Sequence, residues 1–242
     1  MIIDAHAHWG PWFFSMETGP MATNTELLDR FGIDIQVVSA IEAINYDPAS
    51  GNAALEREFA QTDDHRLFGY VVIDPRDLAQ ARADLARLTA PRWVGVKIHT
   101  HYTSTPIRSA AMRQAVELAT DHGLPVLQHT WGPDVVDLAD LANDVPGSRV
   151  IAGHMGADAW RLIPEAARCS DRIWFEPCWS QPEAGRIRWV VDQVGADRLV
   201  FGSDATLIDP SVTLGAIAAA DLSEPERAAV LGGNARDLLG LS

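Results

Sequence analysis

Apolar positions along the chain follow two rhythms that take turns. Short runs such as Ile35-Gln-Val-Val-Ser-Ala-Ile, Leu67-Phe-Gly-Tyr-Val-Val-Ile and Trp93-Val-Gly-Val-Lys-Ile are apolar nearly throughout, as strands buried on both faces must be. Between them, apolar residues recur every three or four positions, for example Ala54, Leu55, Phe59 and Ala60, which is the spacing of one helix face. The pattern predicts a first strand through His8, a short helix from Asn24 to Phe31 stopped by Gly32, and a second strand from Ile35. A helix over Pro48 to Asp63 then precedes a third strand from Leu67, closed by Pro75. The unit repeats with helix Leu78 to Leu88 and strand Trp93 to Thr100, then helix Ser109 to His122 and strand Leu124 to His129. It continues with helix Asp134 to Asn143 and strand Arg149 to His154, then helix Ala157 to Cys169 and strand Ile173 to Pro177. Helix Glu183 to Val194 leads to an eighth strand, Arg198 to Asp204, and helices Ser211 to Ala220 and Glu224 to Leu239 close the chain. Trp9 to Met21 carries neither period and reads as a loop.

Strands alternating with helices imply parallel pairing through right-handed crossovers. Eight such units in 242 residues suit a single α/β domain over residues 1–242, a (β/α)8 TIM barrel. The rival, an open doubly wound sheet, would have fewer strands and a glycine-rich first turn, whereas this first strand ends in His8-Trp9-Gly10. No linker, low-complexity run or charge block marks a second domain.

Charge narrows the partners. A net charge of −14 repels nucleic acid, anionic membrane and polyanionic substrates at long range, which leaves a small molecule as the expected partner. No apolar run reaches the ~20 residues that span a bilayer, and no secretory signal pattern opens the chain, so a cytoplasmic protein is expected. Cys169 and Cys178 lack CxxC spacing and read as reduced, buried thiols.

In a parallel barrel the polar exceptions to buried strands mark function, and function sits at the C-terminal strand ends. Here those ends carry His6 and His8, Lys97 and His99, His129, His154, Glu176 and Asp204. His6 and His8 are two apart on a strand, so both rings leave the same face. As a pair alone they are either metal ligands or hydrogen-bonded core histidines. Six histidines near one end of a barrel, with a carboxylate at Asp204, have the donor chemistry of a divalent transition-metal site. His65 and His122 lie in helix-to-strand turns, where solvent or capping roles are expected.

His-x-His on the first strand, Leu124-Pro-Val-Leu-Gln-His129, Ile151-Ala-Gly-His154-Met-Gly, Phe201-Gly-Ser-Asp204 and Gly233-Asn234-Ala235 together resemble the amidohydrolase superfamily. More narrowly they resemble its amidohydrolase-related branch (amidohydrolase 2), which holds aminocarboxymuconate-semialdehyde-type and resorcylate-type decarboxylases beside lactone and amide hydrolases. The resemblance implies His6, His8, His129 and Asp204 as metal ligands and His154 as an acid or base beside the metal, with one Zn2+ as the favoured ion and Mn2+ as the alternative.

Chemistry supports such roles. A divalent ion lowers the pKa of a water it holds toward about 7 to 9. Asp204 can take that proton, and His154 can hydrogen-bond a developing oxyanion or protonate a leaving group. His154 as a distant hydrogen-bonding residue and Asp204 as a helix cap are the plainer readings. Lys97 is read as a partner for a substrate carboxylate or for a residue that holds the metal, in preference to the carbamylated lysine that bridges two metals elsewhere in the superfamily. His99 and His101, sharing its strand parity, are expected to face the substrate, with a fifth ligand as the alternative for one of them. Glu176 is expected to orient a ligand from behind or to form a salt bridge. Trp9, Trp12, Phe13, Phe14, Tyr102, Trp131 and Trp179 fall in or beside strand-to-helix loops. Trp9, Trp12, Trp131 and Trp179 are read as substrate-binding, and a homo-oligomer interface is the competing use.

The expected activity is metal-dependent hydrolysis of an ester, lactone or amide in a small, partly apolar or aromatic substrate. The alternatives are non-oxidative decarboxylation of an aromatic or unsaturated acid by the same site, and a non-catalytic metal-binding barrel. A nuclease of the related TatD-like branch fits less well, because the surface is acidic and the fourth strand offers Lys97 where that branch has glutamate.

Overall fold

Seven parallel strands pair in chain order: β1 (Ile3–Trp9), β2 (Ile35–Ala40), β3 (Leu67–Val72), β4 (Trp93–Ile98), β5 (Val126–His129), β6 (Val150–Gly153) and β7 (Ile173–Glu176). This computed structural model describes residues 1–89 and 91–241. Every residue of β2, β5 and β6 is buried, which is why these segments are apolar without alternation. The intervening helices are α1 (Met21–Phe31), α2 (Ile41–Asn45), α3 (Pro48–Gln61), α4 (Leu78–Arg87), α5 (Thr100–Thr103), α6 (Ala110–Asp121), α7 (Asp134–Asp144), α8 (Ile163–Cys169) and α9 (Arg186–Val194). Past the sheet come α10 (Ser211–Ala218), α11 (Glu224–Ala228) and α12 (Asn234–Leu239). The main core lies between strands and helices, and joins residues such as Leu28, Val38, Val71, Val96, Val116, Leu138 and Phe175. No helix among the described residues is long and apolar enough to cross a membrane.

The eighth strand expected over Arg198 to Asp204 is not a regular one. The segment 199–205 is extended and runs between the outer strands, touching each at a single parallel bridge, Phe175 with Leu199 and Ala7 with Ala205. Val200 N–H donates to Phe175 O at 3.0 Å, Ala5 N–H to Phe201 O at 2.9 Å, and Ser203 and Asp204 N–H both to His6 O at 3.1 and 2.7 Å. Two features replace the missing ladder. Asp204 turns into the left-handed region, φ 58, which ends any strand there. The buried Asp4 carboxylate adds bonds of its own: Oδ1 accepts from Ser203 N at 2.9 Å, and Oδ2 accepts from Ser203 Oγ at 2.6 Å and Gln36 Nε2 at 2.9 Å. Gly202 passes so close to β1 and β7 that a Cβ would lie 2.6 Å from His6 Cβ and 2.7 Å from Glu176 Cδ.

Asp4→Ala would leave two buried donors, Ser203 Oγ and Gln36 Nε2, without their acceptor. At about 1–3 kcal/mol per orphaned group, the expected loss is about 3–5 kcal/mol, read from the urea midpoint at unchanged m-value.

Three further elements differ from expectation. Helix α1 begins at Met21, and Asn24 is not its cap; Asn24 is buried inside it, and Nδ2 donates to His8 O at 3.0 Å and Gln36 Oε1 at 2.9 Å. The helix expected from Ala157 is an irregular 3-10 stretch, His154–Leu162, followed by α8. The closing helix from Glu224 is interrupted by a π turn at Ala229–Gly233 between α11 and α12. Cys169 and Cys178 are both free, as expected, but only Cys178 is buried.

Candidate metal centre and active-site cavity

The register of β1 with β2 sets His8 opposite Ser39, and the even positions of β1 send Asp4, His6 and His8 toward segment 199–205. His6 and His8 stand edge to face with ring centroids 5.3 Å apart. Each has its Nδ1 engaged. His6 Nδ1–H donates to Glu176 Oε2 at 2.7 Å, and His8 Nδ1 lies 2.9 Å from Ser39 Oγ. The Nε2 atoms therefore face inward. His6 Nε2 lies 3.7 Å and His8 Nε2 2.8 Å from Asp204 Oδ1, and one atom from each of the three residues falls within 4.8 Å of the others.

These donors fit a divalent metal. Glu176 commits His6 to the tautomer whose Nε2 carries a lone pair, so two acceptors, Nε2 and Asp204 Oδ1, meet in a buried space. That arrangement repels itself until a cation enters. Lys97 partly answers it: its ammonium, buried at the end of β4, donates to His6 Nε2 at 2.8 Å. Burial pulls the Lys97 pKa down to about 8 against the pull of Asp204, Cys178 and Glu176. Burial also holds His6 and His8 below the ordinary histidine range, so both stay neutral and able to ligate. For Asp204 burial acts upward, but the hydrogen bond from His8 and the nearby imidazoles outweigh it, and the carboxyl ends well below the usual carboxylate range.

Glu176 is completely buried and satisfied. Besides His6, its carboxylate accepts from His154 N at 3.2 Å, Cys178 N at 2.6 Å and the Cys178 thiol at 2.9 Å. Its contact with His6 is a hydrogen bond while the imidazole is neutral and an ion pair when it is protonated, and no lysine or arginine among the described residues pairs with it. Glu176→Gln keeps the volume and removes the charge that backs His6. Metal affinity is expected to fall about 10–100-fold, measured by competition with a chelator, with little change in melting temperature of the apo protein.

His154 and His129 form a second group. β6 ends at Gly153 and His154 adopts φ 67, a left-handed turn that costs a non-glycine residue about 1–3 kcal/mol and swings the ring over the cavity. Its Nδ1–H donates to Cys178 O at 3.1 Å, and its Nε2 accepts from His129 Nδ1 at 3.1 Å. His129 is thus beside the cluster and outside it: the groups of metal-ligating side chains formed by the described residues are His6, His8 and Asp204, and His6, His154, Glu176 and Cys178. Burial holds His129 well below the ordinary histidine range.

A cavity of about 570 Å³ opens above these groups. Lys97, His99, His101, Tyr102, Trp12, Trp131 and Trp179 reach it as expected, together with Ile44, Ser180, Leu207 and Ile208, which no polar signal in the sequence singled out. Trp9 does not line it and packs partly buried against the main core. His99 and His101 get there by a different route from strand parity. β4 stops at Ile98, His99 caps the short α5, and His101 sits on that helix, exposed, with Nε2 3.8 Å from Asp134 Oδ2. Burial pulls the His99 pKa down to about 2. Its ring stacks on His129 at 3.9 Å and 18°, and His129 is nearly parallel to Trp131 at 5.9 Å and 7°. Three flat rings thus make one wall. Trp12 meets His8 at 5.3 Å, and its Nε1–H donates to Thr206 Oγ1 at 3.2 Å. Ser39 and Cys178, behind His8 and Glu176, escaped sequence reasoning because a serine or cysteine at a strand end carries no pattern of its own.

No curated protein matches the sequence. Among solved structures, 5-carboxyvanillate decarboxylase from Sphingomonas paucimobilis superposes with a TM-score of 0.77 at 15% identity, over 100% of this chain and 99% of that one. A dihydroxybenzoic acid decarboxylase from Polaromonas sp. JS666, with bound manganese and the inhibitor 2-nitroresorcinol, gives 0.75 at 15% identity over 99% and 97%. A probable 2-pyrone-4,6-dicarboxylic acid hydrolase from Acinetobacter baumannii, with citric acid bound, gives 0.70 at 15% over 99% of each chain. These likenesses establish a shared fold. The sequence profile of the amidohydrolase family matches residues 3–241, nearly the entire length, and the chain therefore belongs to the amidohydrolase family, as an enzyme of its amidohydrolase-related branch.

Proposed function

We propose that the chain is a metal-dependent hydrolase acting on an ester, lactone or amide of a small aromatic or partly apolar substrate, within a single (β/α)8 barrel completed by segment 199–205. The observation that carries the reading is the convergence of His6 Nε2, His8 Nε2 and Asp204 Oδ1 at one buried point on the floor of the cavity. His6, His8 and Asp204 would hold one ion, Zn2+ by preference for neutral imidazole donors and Mn2+ as the alternative. His129 joins them as the proposed fourth ligand after a shift of its ring from His154. When bound, such an ion acts as a Lewis acid and makes water a nucleophile near neutral pH.

The rest is supplied by the chain. Asp204, ionised, accepts a proton at its carboxylate as a nucleophile forms. His154 is anchored through Nδ1–H to Cys178 O and uses Nε2 to hold or pass a proton at the reacting group. Lys97 points its ammonium at the same place and offers charge to a substrate carboxylate. The rings of His99, His129 and Trp131 orient a planar substrate, and Trp12, Leu207 and Ile208 exclude water. That flat wall also favours a second reading, decarboxylation of an aromatic acid, in which His154 or Asp204 delivers a proton to carbon.

Metal-loaded protein assayed in parallel for hydrolysis of aryl esters and lactones and for CO2 release from hydroxybenzoic acids decides between them. Turnover of neither class, with metal content verified, removes both. His129→Ala is expected to lose bound metal while keeping its circular dichroism; full metal content by elemental analysis removes His129 from the ligand set.

A further inference from the structure

The cavity is larger than one ring needs. An apolar cavity of about 150 Å³ takes benzene, whereas the space above the cluster measures about 570 Å³, within the range that holds a drug-sized ligand. Its lining also changes character from one side to the other, and strand order gives the reason. Segment 199–205 lies between β7 and β1, so the loops that follow it, β1 and β2 are neighbours. To the cavity they contribute Leu207 and Ile208, Trp12 and Ile44, four side chains without a formal charge. The ends of β4 to β7 furnish the other side, with the flat wall of His99, His129 and Trp131 beside His154 and Trp179. The metal-ligating cluster touches both: His8 meets the Trp12 ring at 5.3 Å, and His6 meets the His154 ring at 5.0 Å.

The uncharged side is held in place. Trp12 lies in a stretch without regular structure, yet three contacts fix its ring. Nε1–H donates to Thr206 Oγ1 at 3.2 Å, His8 stands edge-on at 79°, and Phe14 stacks on the indole at 5.5 Å and 17°. Phe13 in turn meets Phe14 edge-on at 4.8 Å. An indole fixed in this way loses little further freedom when a ligand ring settles against it. This side also offers no cation: of the described residues that line the cavity, Lys97 is the single lysine or arginine, and its ammonium lies on His6.

We propose that the substrate has two ring-sized parts, one on each side of the bond to be hydrolysed. A planar acyl part lies against His99, His129 and Trp131, and an uncharged aromatic alcohol or amine part lies among Trp12, Ile44, Leu207 and Ile208, with Trp12 selecting the second ring. The proposal rests on the hydrolytic reading of the site. In an aryl ester of an aromatic acid, water adds across the acyl C–O bond: its oxygen joins the carbonyl carbon, the bond to the phenolic oxygen breaks, and that oxygen departs with a proton. Burial of the second ring and its contact with the indole supply the selectivity.

The test compares phenyl benzoate with methyl benzoate, which differ only beyond the ester oxygen, through kcat/KM of the metal-loaded protein. Trp12→Ala is expected to lower the ratio of phenyl to methyl ester by about tenfold or more. The intrinsic reactivity of each ester cancels, because both proteins meet the same pair. Trp12→Phe, which keeps a ring, should return part of the ratio. Ile208→Trp fills the same side from a half-buried position and should lower the ratio as well. A merely structural tryptophan would lower the melting temperature of W12A and slow both esters by one factor. An unchanged ratio in W12A therefore overturns the proposal, and where W12A does not fold the same holds for I208W. Hydrolysis of neither ester by wild type, with metal content verified, removes the hydrolytic reading and the second ring with it, whereas hydrolysis with an unchanged ratio in the variants removes the second ring alone.

Discussion

Asp204→Ala is expected to lower kcat/KM about 10³–10⁴-fold, roughly 4–5.5 kcal/mol of transition-state stabilisation. No other side chain combines its three properties. It is held ionised by the His8 hydrogen bond, it touches the space that His6 and His8 share, and it sits on a left-handed turn that aims it into the cavity. Asp204→Asn keeps the shape and removes the proton acceptor, so comparison of the two variants separates position from basicity. Steady-state rates on the best substrate, normalised to metal content, are the measurement. A variant that retains more than a tenth of wild-type kcat/KM at equal metal loading eliminates Asp204 from the chemistry.

Metal loading is expected to produce the largest change in stability. Ligand that binds only the folded state stabilises by about 4 kcal/mol at a thousand times Kd. For a domain of this size each kcal/mol moves the melting temperature by roughly 2–4 °C, so Zn2+ or Mn2+ should raise Tm by about 8–16 °C over chelator-treated protein. The source is local. His6 Nε2 and Asp204 Oδ1 lie 3.7 Å apart in a buried space, and a divalent cation would bond to both more strongly than the Lys97 ammonium and His8 do. His6→Ala should flatten the response by removing one donor and freeing Glu176 from its role, while its own Tm without metal shows whether the fold survives. Scanning calorimetry across both ions checks this. A Tm that neither ion moves sinks the metal centre altogether.

His6 and His8 show how far a local pattern reaches. Two residues apart on a strand, they share a face for reasons of backbone geometry alone, and the structure places their rings 5.3 Å apart. The order of strands and helices was legible for the same reason: periodicities of two, of 3.6 and of unbroken apolar runs are properties of short segments. Lys97, His129, His154, Glu176 and Asp204 could be named as strand-end polar residues, because a buried strand admits few others without cause.

What depends on several segments at once was not legible. The eighth strand is irregular where Asp204 turns left-handed and where a carboxylate on β1, Asp4, adds side-chain bonds to Ser203, and no window around Arg198 to Asp204 contains Asp4. Asn24 looked like a cap because caps are asparagines, yet its amide serves His8 and Gln36 across a loop. His99 and His101 reach the cavity through a helix that begins one residue after β4, so alternation along the strand did not apply. Sequence by itself determined which residue types stand at the ends of the strands, since burial of a parallel sheet filters every position one at a time. Tertiary structure alone decided who meets whom: His129 on His154 in place of His6, and Glu176 behind His6, because distances between side chains on different strands follow from packing of the whole and leave no trace in any short stretch.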